Sequence, residues 1–141
     1  MKNRMEIKFP AISRNESLAR SVVSAFAVEL NPDLDRLGDI KTAVSEAVTN
    51  CIVHGYPSGN GEIEIIAENN DGILHIEVLD RGVGIADITT ARQPFYTTKE
   101  GEERSGMGFT VMETFMDSLE VENRDGGGLR VVMEKSFKES L

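Results

Sequence analysis

The sequence has little cysteine, few basic residues and no long apolar run, and each shortage removes a class of function. One cysteine, Cys51, cannot close an internal disulfide, so nothing in the chain calls for an oxidising compartment. No apolar run is long enough to span a bilayer, so no membrane partner is expected. The first residues, Met1-Lys-Asn-Arg-Met-Glu, carry neither the apolar stretch nor the cleavage site of a secretion signal, and a cytoplasmic location is expected. Lys and Arg total 15 against 24 Asp and Glu, a formal net charge of -9. That balance argues against direct DNA or RNA binding, which rests on clustered cations. Catalytic signatures are missing as well. There is no V-A-I-K lysine, H-R-D loop or D-F-G, so eukaryotic-type kinase machinery is excluded.

What remains is an ordinary globular composition, 40% hydrophobic and 28% charged, over 141 residues, a length that suits one domain spanning 1–141. Met5 to Phe9 alternates apolar and polar residues and predicts an opening strand. Ser13-Arg-Asn-Glu16 has capping-box spacing and introduces a helix with apolar positions Leu18, Val22, Ala25, Phe26 and Leu30. Asn31-Pro32-Asp33 predicts a second helix, capped by Asn31 and running from about Pro32 to His54, ending at Gly55. Its buried stripe is Ile40, Ala43, Val44, Ala47, Val48, Cys51 and Ile52. Strands follow at Glu62–Glu68 and Ile73–Leu79 around an Asn-Asn-Asp-Gly turn, then a glycine-rich loop from Asp80 to Gly108. A third long helix starts near Ser105 to Gly108, with Phe109, Met112, Phe115 and Met116 on its apolar side. Strands at Leu119–Glu122 and Leu129–Met133 flank the turn Asp125-Gly-Gly-Gly128. This order is not a regular β-α alternation and predicts an α+β two-layer sandwich, a mixed, mostly antiparallel sheet covered on one face by helices.

Three groups of residues carry chemistry. Glu46 and Asn50 lie four apart on one face of the second helix. The carboxamide oxygen of Asn50 can ligate a hard cation such as Mg²⁺. Glu46 can bind that ion through water or take a proton from an attacking hydroxyl; a merely solvated helix face is the alternative. His54, one turn on, suits a helix end. Asp80-Arg-Gly82-Val-Gly84 follows a strand, where a carboxylate can accept from an exocyclic amine such as adenine's. Gly82 and Gly84 would let the backbone approach a flat ring; a tight hairpin is the alternative. No third glycine completes a dinucleotide fingerprint. The last group is Thr97-Thr98-Lys99 and Arg104-Ser105-Gly106-Met107-Gly108-Phe109, a glycine-rich helix entry whose N–H groups suit a polyphosphate, with Lys99 and Arg104 as charge-assisted donors. Gly101 and Gly106 have P-loop spacing, but Met107-Gly108 stands where Lys-Ser/Thr is required.

Taken together and in this order, the three groups resemble the GHKL ATPase superfamily and its Bergerat fold. Glu46 and Asn50 match its N box, Asp80, Gly82 and Gly84 its first glycine box, and Gly106 and Gly108 its second. Within it, Asn15–Arg20, Val44–Asn50, His54–Tyr56, Ala91–Phe95, Thr97–Lys99 and Arg104–Phe109 are similar to the anti-sigma factors of Gram-positive bacteria, the sporulation members above all. That resemblance implies a homodimeric serine kinase using ATP and Mg²⁺. It would inhibit a sporulation sigma factor and phosphorylate an anti-anti-sigma protein on serine. It further implies Glu46 as the catalytic base and Asn50 as metal ligand. Asp80, Gly82, Gly84, Thr98, Lys99, Arg104, Ser105, Gly106, Met107, Gly108 and Phe109 would contact nucleotide, under a lid at about 91–106. Arg20 would contact the sigma factor.

The last strand departs from the family. Leu129 and Arg130 follow Gly128 where a threonine usually helps to position adenine, which predicts a changed partner for Asp80. A nucleotide-organised binding module without turnover is the second reading. A detached histidine-kinase catalytic domain is disfavoured, because the only histidines are His54 and His75 and neither sits on a helical hairpin. A mechanical ATPase of the gyrase type would need a transducer domain that this length does not hold.

Overall fold

Alternation along the strands decides the architecture. In the second strand Ile63, Ile65 and Ala67 are fully buried while Glu62, Glu64 and Glu68 face away, and the third repeats this with Leu74, Ile76 and Val78 against His75 and Glu77. One face of the sheet is therefore apolar and demands a helical cover. The computed structural model describes residues 2–93 and 108–138. Its strands are β1 (Lys2–Pro10), β2 (Glu62–Asn70), β3 (Ile73–Leu79), β4 (Ser118–Asn123) and β5 (Leu129–Ser136); its helices are α1 (Arg14–Ala27), α2 (Leu34–Asn50), α3 (Ile88–Ala91) and α4 (Gly108–Phe115). The sheet order is β1-β2-β3-β5-β4, and every ladder is antiparallel. The α+β two-layer class stands, and among the described residues the sheet is antiparallel throughout where a mixed, mostly antiparallel one was expected.

The α2 stripe is buried as predicted: Ile40, Ala43, Val44, Ala47 and Val48 are completely enclosed, and Cys51 nearly so. In α1 the predicted stripe is displaced by one residue. Ala19, Val23, Ser24 and Ala27 are buried, Phe26 and Leu30 pack partly against the core, and Leu18 is half exposed. Small side chains let α1 lie close to α2 and the sheet, a geometric preference that outweighs the hydrophobicity of Leu18. The predicted capping box does not form. Ser13 is helical in backbone and makes no side-chain cap bond, and the Glu16 carboxylate instead accepts from the Ser45 hydroxyl and pairs with Arg20 at 3.7 Å. The cap of α2 is Asp33, whose carboxylate accepts from Arg36 N at 2.8 Å, in place of Asn31. Asn31 has a φ of 52° and closes a short 3-10 turn, Val28–Leu30.

The β2–β3 reversal is tighter than predicted: Asp71 and Gly72, with φ of 53° and 95°, form a two-residue turn suited to the twist of a hairpin. The stretch after Asp80, read as a loop, contains α3, capped by the Asp87 carboxylate, which accepts from Thr90 N at 3.1 Å. In α4, Phe109 and Met112 are buried, and Met116 just beyond it is buried too. Lys135 on β5 ties the layers together, donating to Phe115 O at 2.7 Å and pairing with Asp39 at 3.4 Å.

Candidate functional site

After Asn50 the regular bonding of α2 gives way to a π turn, Cys51–Gly55, in which Tyr56 N donates to Cys51 O at 3.0 Å. Such a turn shifts the phase of a helix by a fraction of a turn and is frequent at functional sites. Here it carries Gly55 and Tyr56 onto the loop that follows β3. Val83 N donates to Gly55 O at 3.0 Å, and Arg81 N donates to the Tyr56 hydroxyl at 2.5 Å. The helix bearing Glu46 and Asn50 and the loop bearing Asp80, 30 residues apart in sequence between Asn50 and Asp80, are thereby joined. Glu46 and Asn50 are both half-buried.

Asp80 is 2% exposed, a carboxylate enclosed by backbone. One oxygen, Oδ1, accepts from Gly82 N at 2.9 Å and Leu129 N at 3.1 Å. Its main-chain N donates to Leu129 O at 3.1 Å, and its main-chain O accepts from Arg124 Nη1 at 2.9 Å. Leu129 therefore supplies Asp80 with a main-chain N–H, a bond that any residue but proline would make at that position, so it is no substitute for the missing threonine side chain. Around Oδ2 the protein leaves room: a Cβ on Gly55 would come within 2.8 Å of it. Burial, and then the Asp80 carboxylate beside it, push the pKa of the Cys51 thiol well up.

Close approach explains the glycines here. A Cβ on Gly82 would lie 1.9 Å from Gly55 O, and one on Gly128 would lie 2.1 Å from Asp80 O. Gly82 was predicted to admit a flat ring; the structure adds a requirement inside the protein, since two backbone segments cross where any side chain would collide. Gly84 has a φ of 69°, and its missing Cβ makes way for the Asn123 carboxamide at 2.6 Å.

Arg20 and Glu46 meet in a second feature, a groove of about 530 Å³ between α1 and α2, lined also by Ser21, Gly38, Lys41, Thr42 and Ser45. The predicted catalytic carboxylate and the predicted partner contact thus share one surface, while Asn50 and Asp80 lie outside that lining. Gly108 and Phe109 open α4, with the Phe109 side chain buried against the core. Thr98, Lys99, Arg104, Ser105, Gly106 and Met107 lie outside the described residues, as does the predicted lid except for its first positions. Among the described residues no cluster of three or more His, Cys, Asp or Glu could hold a metal ion. Asn50 offers one neutral oxygen, which suits Mg²⁺ carried mainly by phosphates and water rather than a protein cage.

The reading from sequence missed Tyr56, Asn123, Arg124 and Gly128 as parts of this site. Three successive glycines at 126–128, each with φ above 80°, were the signal for an unusual backbone, although not for its target.

Comparison with known proteins agrees with this arrangement. Residues 9–135 match the family described as histidine kinase-like ATPase domain. The chain is 52% identical over 137 residues to an anti-sigma F factor of Clostridium acetobutylicum, covering 97% of this chain and 96% of that one. It is 56% identical over 133 residues to an anti-sigma F factor of Caldanaerobacter subterraneus subsp. tengcongensis, covering 94% and 93%. Among solved structures, the RsbU and RsbW domains of a Mycobacterium tuberculosis protein superpose with a TM-score of 0.69 at 21% identity, over 95% of this chain and 32% of that one. The catalytic domain of the histidine kinase ThkA superposes with a TM-score of 0.60 at 20% identity, over 94% and 95%. The structures show the shared fold, and the sequence relatives narrow it: this chain belongs to the anti-sigma F factor family, within the histidine kinase-like ATPase domains.

Proposed function

We propose that the chain is a cytoplasmic single-domain protein serine kinase of 1–141 that uses Mg-ATP to phosphorylate an anti-anti-sigma protein, and that it inhibits a sporulation sigma factor as a homodimer. The observation that carries the nucleotide site is the Asp80 cradle. One carboxylate oxygen is saturated by two main-chain N–H groups, and the other faces space kept clear by the absence of a Cβ at Gly55. A fixed, buried acceptor of this kind selects an exocyclic amine, because a base without that donor would leave it unpaired. The relatives' names support the sigma-factor partner, and Arg20 beside the groove is the residue assigned to contact it.

In the proposed reaction the acceptor serine lies in the groove beside Glu46. Its Oγ forms a bond to the γ-phosphorus, the bond to the bridging oxygen breaks, and ADP leaves with that electron pair. Glu46 takes the hydroxyl proton. Mg²⁺, when bound, would neutralise charge on the phosphate oxygens, and Asn50 is the residue assigned to hold it. Thr98, Lys99, Arg104, Ser105, Gly106, Met107, Gly108 and Phe109 are assigned to the phosphates and their covering lid at about 91–106, as read from the sequence.

The test is transfer from γ-labelled ATP with Mg²⁺ to a candidate anti-anti-sigma protein, with Glu46→Gln as control. Label on a partner serine should fall by about 10² or more in the variant while ATP binding is kept. ATP binding without transfer to any partner in the unmodified protein would instead make this a nucleotide-organised binding module. Equal labelling by the variant would remove Glu46 from the mechanism.

A further inference from the structure

We infer that Tyr56 and Asn123, neither assigned to touch nucleotide, are positioning residues that clamp the two ends of the loop 81–85 and thereby set the affinity and base selectivity of the site. At the entrance, the Tyr56 hydroxyl accepts from Arg81 N and donates to Glu62 O at 2.7 Å, so one phenol bridges the loop to the first residue of β2. The ring is 8% exposed and lies so close to Gly61 that a Cβ there would fall 2.3 Å from it, which leaves the phenol one position. At the exit, the carboxamide of Asn123, the last residue of β4, reads both main-chain groups of Ile85. Its Oδ1 accepts from Ile85 N at 2.9 Å and its Nδ2 donates to Ile85 O at 2.7 Å. A side chain here does what a neighbouring strand would do, at a point where the sheet has ended.

Between these ends the main chain is held in series. Gly82 N binds Asp80 Oδ1, Val83 N binds Gly55 O, and Arg81 Nη1 reaches Asp125 O at 3.0 Å. Asp80 sits at the start of that series, and its carboxylate can select a donor only if the loop that feeds Gly82 N to it does not shift. Tyr56 acts across 25 residues and Asn123 across 38, so each ties the loop to a different part of the sheet. Removing either bridge frees one end of the loop and blurs the position of Asp80 Oδ1, while the apolar core, which uses neither polar group, is left in place.

This inference rests on the proposed nucleotide site. Its test measures Mg-ATP and Mg-GTP dissociation constants and the amide hydrogen exchange of the ligand-free protein, for the unmodified chain, Tyr56→Phe, Asn123→Ala and the double variant. Tyr56→Phe keeps the ring against Gly61, and Asn123 is exposed, so both variants are expected to fold. Each should weaken ATP about tenfold and narrow the ATP-over-GTP preference. The double variant should lose less than the product of the two, because both residues restrain one loop. Exchange should quicken at Arg81 in the first variant and at Ile85 in the second. Unaltered exchange at those amides, or a lowered melting temperature with ATP affinity and selectivity unchanged, overturns the clamp. Failure of the unmodified chain to bind ATP, with faster exchange still seen in the variants, overturns the nucleotide assignment and leaves the two bridges standing as loop anchors only.

Discussion

The Asp80 cradle and the open face of the sheet are both dense in hydrogen bonds, but they are held by different means. In the cradle the carboxylate is buried with main-chain partners, and Gly55, Gly82, Gly84 and Gly128 sit where a Cβ would fall within 3 Å of a neighbour. On the open face the partners are long charged side chains. His75 pairs with Glu77 at 2.9 Å and Glu134 at 2.7 Å, and Arg130 with Glu77 at 2.8 Å and Glu122 at 2.6 Å. The register places His75 opposite Glu134 and Arg130 opposite Glu122, so these are cross-strand pairs. Buried groups without water have no substitute partner, whereas groups at a partly exposed surface can return to solvent. The cradle should therefore tolerate almost no change and the open face a good deal.

Gly82→Ala should break the contrast most sharply. Its Cβ would have to displace the Gly55 carbonyl, so a loss of about 3 kcal/mol or more is expected in denaturant unfolding, together with ATP binding. Full retention of stability would show that the crossing of the two segments is looser than described. Asp80→Asn separates recognition from folding. The carboxamide oxygen can still accept from Gly82 N and Leu129 N, but the second acceptor becomes a donor. ATP affinity should fall by about a hundredfold, with stability changed by only about 1–2 kcal/mol, as read by titration and melting of the same sample.

The smallest effect belongs to the open face. Partial burial works against the charged imidazole of His75, but bonds and charge from Glu77 and Glu134 together outweigh it and hold its pKa above the ordinary value. Glu77 is likewise opposed by burial, and Arg130 and His75 together hold it below the carboxylate range. A raised imidazole pKa stabilises the fold fully below the pH at which a free histidine titrates. That contribution is lost as pH rises through the folded value. The depressed Glu77 pKa contributes above the ordinary carboxylate range and is lost as pH falls through its own folded value. Stability from this ladder should peak at mildly acidic pH. His75→Gln should cost under about 1 kcal/mol there and flatten the decline towards neutral pH. An unchanged pH profile in that variant would assign the slope to other groups.

Legibility followed separation along the chain. The α2 stripe could be read because 3.6-residue periodicity is local, and Glu46 and Asn50 came with it. The α1 stripe was misread by one position: Leu18 is the more hydrophobic candidate, yet Ala19, Val23 and Ala27 are the buried positions, and alanine at 19 and 27 is small enough for close packing. The capping box at Ser13 and Glu16 failed for a nonlocal reason, since Ser45, 29 residues on, takes the Glu16 carboxylate. Gly82 could be recognised as a place that needs a glycine, although the atom demanding it belongs to Gly55.

By itself the sequence determined the layer architecture, the helix that carries Glu46 and Asn50, and the turn that carries Asp80, because periodicity and turn chemistry are local properties of the chain. Tertiary structure alone decided how these parts meet. The π turn after Asn50, the Leu129 N–H on Asp80, and the bridges from Tyr56 and Asn123 all depend on segments brought together by burial of the shared core. Hydrogen bonds across such distances leave no period or spacing in the chain by which to read them.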